Sequence, residues 1–68
     1  MKNRLKEARF FKKKTQVQLY LETGIHFSTI SRIEGGYVQP SKEQRKKLVR
    51  ALGVDESWLF PMDGEKNE

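Results

Sequence analysis

One histidine and no cysteine leave this 68-residue chain little with which to make or break covalent bonds. A metal site needs several His, Cys, Asp or Glu ligands, and His26 has neither a thiolate nor a second histidine to join it. With no such set, a metal-ligand or general-base role is the weaker reading of it. Asp55, Glu56, Asp63, Glu65 and Glu68 gather towards the C-terminus, where solubility accounts for them. No nucleophile, base and orienting group form a set, so the chain reads as a protein that is not an enzyme and uses no cofactor or metal.

The chemistry that remains is recognition, and it concentrates between Thr15 and Gly36, TQVQLYLETGIHFSTISRIEGG. Ile30, Ile33 and Glu34 fall at i, i+3 and i+4, one stripe of a helix, so Phe27, Ser28, Ser31 and Arg32 form the opposite strip. A helix fits the major groove of B-DNA, where every base pair shows a distinct set of donors, acceptors and methyls. Arg32 has the fork for a guanine edge, Ser28 and Ser31 pair with several bases, and Phe27 is apolar enough to touch a thymine methyl. Gln16, in the first turn of the preceding helix, would present its amide where backbone N–H groups favour a phosphate.

Five helices must position those groups. Leu5, Ala8 and Phe11 set the face of a first helix over about residues 3 to 12, ending at Lys12-Lys13-Lys14. Thr15 with Gln18 three residues on is a capping box, and opens a second helix that runs to Thr23 and stops at Gly24. Phe27 to Glu34 form a third, ended by Gly35-Gly36. Ser41 and Gln44 make a second capping box, from which a fourth helix continues to Leu52 and Gly53. Asp55 is placed to cap one further turn, Glu56 to Phe60, closed by Pro61. Residues 1–61 thus read as a single all-α domain with short connections, and 62–68 as an acidic, disordered tail.

Charge follows the same division. Lys plus Arg number 14 against 9 Asp plus Glu, but residues 1–14 carry +6, 15–36 carry −1, 37–52 carry +4 and 53–68 carry −4. Two basic blocks around a nearly neutral centre suit a surface that grips a polyanion at its edges and reads something with its middle. The longest apolar runs, Leu19-Tyr20-Leu21 and Trp58-Leu59-Phe60, are far short of a membrane span, and no secretory signal opens the chain. The expected location is the cytoplasm. With 68 residues and no disulfide, helix packing alone must supply the stability.

Thr15 to Gly36, with Pro40-Ser41 and Ala51-Leu52-Gly53-Val54, resembles the phage repressor and Cro helix-turn-helix family, also called the Xre type, over nearly residues 4 to 60. The resemblance implies a lambda-repressor-like fold in which the second and third helices form the helix-turn-helix. It places base readers at Phe27, Ser28, Ser31 and Arg32, and phosphate contacts at Gln16, His26, Thr29, Tyr37, Gln39 and Lys42. It also implies a transcriptional regulator, a repressor above all, that binds double-stranded DNA at a palindromic operator as a homodimer joined through the region after the fourth helix.

Three departures from the family involve four positions. Tyr20 replaces a usual alanine where the helices cross. Thr23 stands at a normally apolar position and Leu21 at a normally polar one, so the second helix is expected to rotate slightly or to pack Leu21 against Phe10 or Phe11. Lys14 replaces an apolar residue, which predicts a looser end to the first helix. Arg9 and Glu34 each lie on a core-facing stripe, and an unpaired buried charge costs several kcal/mol, so they are expected to pair. Trp58 is read as a lid on the core. The rival reading is an antitoxin or other protein-interaction module with secondary DNA contact. A membrane-surface role for Lys12 to Lys14 beside Phe10 and Phe11 is the weaker alternative, since such lysines are ordinarily just solvated.

Overall fold

The computed structural model describes residues 3–61, and every regular element in them is helical: α1 (Leu5–Phe11), α2 (Gln16–Thr23), α3 (Phe27–Glu34), α4 (Lys42–Leu52) and α5 (Glu56–Leu59). The acidic segment 62–68 lies outside the described residues. No helix in them is long and apolar enough to cross a membrane.

Both capping boxes form. The Ser41 and Thr15 hydroxyls accept from the backbone N–H of Gln44 and Gln18, at 3.1 and 3.0 Å, and each glutamine side chain accepts from the N–H of its cap residue, at 2.9 and 2.8 Å. Two donors of each first turn that the helix leaves unpaired are so satisfied. Gly24 (φ 79°) and Gly53 (φ 67°) end α2 and α4 in the left-handed region, which glycine enters without steric cost.

α1 is shorter than the sequence suggests, because Asn3 is not its first turn but its anchor. Its Oδ1 accepts the Leu5 N–H at 3.0 Å while its Nδ2 donates to the Ile33 carbonyl at 2.8 Å, fixing the start of α1 to α3. The far end is not loose. Lys14 N–H donates to the Arg9 carbonyl and Lys13 N–H to that of Phe10, a Schellman motif with Lys13 in the left-handed region at φ 56°. Lys14 Nζ then donates to Glu22 Oε1 at 2.6 Å and to the Ala51 carbonyl at 3.2 Å, joining the α1 exit to α2 and α4. An amphipathic lysine does the tethering an apolar residue would do by packing. Lysine pays a steric cost at φ 56° that glycine does not, so Lys13→Gly should raise stability by about 0.5–1 kcal/mol, read as a higher urea midpoint at unchanged m.

Leu5, Leu19, Ile30, Ile33, Leu48 and Leu59 are fully buried, so each of the five helices sends at least one side chain to a single core, while Phe60 closes it just beyond α5. α3 packs on α1 and α2, and α4 on α2 and α5. Trp58, half-buried, packs against this core, with Arg4 5.2 Å above its ring; Arg4 also donates to the carbonyls of Trp58 and Leu59, at 2.7 and 2.9 Å. Asp55 occupies the cap position of α5 without a side-chain capping bond, contrary to its expected role, and that turn is held instead by Arg45 Nε donating to Glu56 Oε2 at 2.9 Å.

The exchange at positions 21 and 23 leaves Thr23 in the core and Leu21 in solvent. Thr23 is buried, yet its hydroxyl donates to the Leu19 carbonyl at 2.7 Å and accepts the Ile25 N–H at 3.1 Å, so no polar group is left unpaired. Leu21 is 75% exposed and Phe10 and Phe11 are 62% and 70% exposed, so these three stand in solvent and do not seal one another.

Candidate nucleic-acid interface

α3 divides as its sequence divides. Ile30 and Ile33 are fully buried, while Phe27 (40% exposed), Ser28, Ser31 and Arg32 lie exposed on the other side; Thr29 is half-buried between them. Arg32 has no carboxylate partner among the described residues, so its guanidinium is available to a ligand.

The N-terminus of this helix is capped by His26, whose Nδ1 accepts the Ser28 N–H at 3.1 Å. His26 also belongs to a cluster with Tyr20 and Phe27: ring centroids lie 5.1 Å apart for Tyr20 and His26, 4.2 Å for His26 and Phe27, and 5.9 Å in an edge-on arrangement for Tyr20 and Phe27. Tyr20, half-buried, also packs against the core. Its ring reaches over the glycine turn and packs against the two residues that begin α3, a favourable geometry for aromatic quadrupoles.

At the other end of α3, Glu34 is the centre of a polar network. Arg9 Nε and Nη2 donate to its two carboxylate oxygens at 2.7 and 3.3 Å, and the Arg9 and Glu34 side chains are only 10% and 6% exposed. Arg9 Nη1 also donates to the Lys14 carbonyl at 3.1 Å. Gln16 Nε2 donates to Glu34 Oε1 at 3.1 Å. One of the two N–H groups of the Gln16 amide is thus engaged inside the protein, tying the first turn of α2 to the last of α3, while the second N–H takes no part in that bond.

Gln16 and Ser31 come together with Tyr37 around an open cleft of about 400 Å³, whose other walls are Lys6, Arg9, Glu34 and Gly35. Tyr37 is 83% exposed, and a Cβ on Gly35 would meet its ring carbons at 2.7 and 2.8 Å. Gly35 has an ordinary helical backbone, so here glycine serves close approach and not conformation. Gln39 and Lys42 are exposed on the loop after α3 and at the start of α4. Sequence reasoning did not single out Lys6 as part of this surface, although it sits three residues before Arg9 on one helix face. It also missed Tyr20 as a partner of His26 and Phe27, since the contact spans a turn and has no periodic signature.

The arrangement presents hydrogen-bonding and apolar groups on one helix, with basic and hydroxyl-bearing residues at its margins. Among the described residues no three His, Cys, Asp or Glu side chains gather to hold a metal ion. No curated protein matches the chain. A helix-turn-helix family model matches residues 5–59, which contain all five helices. The chain therefore belongs to the Cro/C1-type helix-turn-helix family of DNA-binding proteins.

Proposed function

We propose that the protein is a sequence-specific transcriptional regulator, acting as a repressor in the cytoplasm, that lays α3 in the major groove of a palindromic operator and binds it as a homodimer. The observation that carries this reading is the division of α3 into a buried isoleucine stripe and an exposed, nearly uncharged strip on a basic protein. Phe27, Ser28, Ser31 and Arg32 meet base edges there. The phosphates on either side fall to Gln16, at the start of α2, and to His26, Thr29, Tyr37, Gln39 and Lys42. Two copies on half-sites about one helical turn apart would give so small a reader useful affinity.

Methylation of guanine at N7 tests the groove assignment. A methyl group on the guanine that Arg32 forks should exclude the duplex from the complex, whereas adenine N3 methylation in the minor groove should not; the reverse pattern overturns the reading. The phosphate contacts have their own signature. Lys42→Ala should weaken binding to all sequences alike and lower the salt slope by about one. In Gly35→Ala the new methyl displaces the Tyr37 ring, which is free to swing into solvent. Stability should stay within about 0.5 kcal/mol of wild type while affinity falls for every sequence; unchanged affinity would remove Tyr37 from the interface.

A further inference from the structure

His26 does more than cap α3, because two groups of Ser28 converge on one of its nitrogens. The Ser28 N–H lies 3.1 Å from His26 Nδ1, and the Ser28 hydroxyl oxygen lies 2.9 Å from the same atom. A backbone N–H only donates, so Nδ1 is an acceptor and the ring proton is on Nε2. Nδ1 offers a single lone pair, and the Ser28 Oγ–H shares it with the N–H in a three-centre bond, because the hydroxyl would otherwise set a lone pair of its own against that of Nδ1 at 2.9 Å. Only lone pairs of that hydroxyl are then left to face outward from the exposed strip. The imidazole cannot readily turn away, since the Tyr20 and Phe27 rings pack on it at 5.1 and 4.2 Å.

We propose that His26, braced by Tyr20 and Phe27, makes Ser28 an acceptor-only reader, so that it takes its hydrogen bond from an exocyclic amine in the major groove, adenine N6–H₂ or cytosine N4–H₂. This rests on the groove-bound reading of α3 and adds the chemical sign of one contact. A free serine hydroxyl donates or accepts and so tolerates several bases. With its proton already given to Nδ1, the hydroxyl meets guanine O6 or thymine O4 lone pair to lone pair, and only an amine offers it a partner. His26 is a positioning residue in this contact, acting through Ser28.

The test begins with duplexes selected from a random pool by the wild-type chain and by Ser28→Ala; the base pair whose preference relaxes in the variant is the one Ser28 reads. At that pair the amine is deleted with purine in place of adenine or 2-pyrimidinone in place of cytosine. The carbonyl is deleted with 2-aminopurine in place of guanine or 5-methyl-2-pyrimidinone in place of thymine. Relative to Ser28→Ala, amine deletion should weaken wild-type binding about tenfold and carbonyl deletion should leave it unchanged. In His26→Ser, which keeps a capping oxygen and whose helicity circular dichroism checks, the amine penalty should fall below about threefold. A carbonyl penalty, no penalty at either group, no relaxed base pair, or an amine penalty unaltered by His26→Ser overturns the proposal while the groove-bound reading stands. Failure of the wild-type chain to enrich any sequence is instead the failure of that reading.

Discussion

Arg9→Met should cost about 3–5 kcal/mol of folding stability, because it leaves the Glu34 carboxylate buried with Gln16 as its remaining side-chain donor. The buried scale applies because both side chains are at most 10% exposed. The Lys14 and Glu22 pair and the Arg45 and Glu56 pair, whose acidic partners are 43% and 46% exposed, belong to the surface class worth up to about 1 kcal/mol. A core this small supplies on the order of 3–5 kcal/mol in total, so the variant should be largely unfolded at 25 °C. Adding Glu34→Gln removes the stranded charge and should recover most of the loss. The coupling in a double-mutant cycle should therefore exceed about 2 kcal/mol, measured by urea unfolding with every variant held folded at zero urea by a stabilising osmolyte. Additive losses would show that the pair does not hold α1 to α3.

Arg32→Ala is expected to act on function and not on the fold. Arg32 is exposed with no carboxylate partner among the described residues, so thermal stability should stay within about 0.5 kcal/mol of wild type. Its loss should cost about 1–3 kcal/mol for the preferred duplex, roughly 5- to 150-fold in affinity, and should relax preference at one base position. A uniform loss across sequences would make Arg32 a phosphate contact. The contrast with Lys42→Ala, whose effect should be uniform and visible in the salt slope, separates reading from gripping.

Much of this architecture is legible in the sequence because it rests on local rules. Thr15 with Gln18 and Ser41 with Gln44 mark helix starts by a spacing of three, and Gly24 and Gly53 mark ends by a backbone conformation that few residues tolerate. Ile30 and Ile33 orient α3 by periodicity alone, which is why its exposed strip follows from the spacing. What escaped depends on contacts between segments. Asn3 looks like the start of a helix until its amide is seen donating to Ile33, 30 residues away. Thr23 looks misplaced in a core position because its hydroxyl finds both partners in its own backbone neighbourhood, a local solution that hydropathy cannot register. Lys14 looks like a loose end, yet its reach to Glu22 and Ala51 is a tertiary fact. The bond from Gln16 to Glu34 has no local signature either, since the carboxylate comes from the end of α3.

The central claim, that α3 reads sequence through an exposed strip, is tested most directly by incubating the chain with a random pool of DNA duplexes at two salt concentrations and sequencing what it retains. Base contacts predict one enriched palindrome with half-sites about one helical turn apart, still enriched at the higher salt as non-specific binding falls away. Retention of all duplexes in equal measure, with affinity that only tracks salt, would contradict the account.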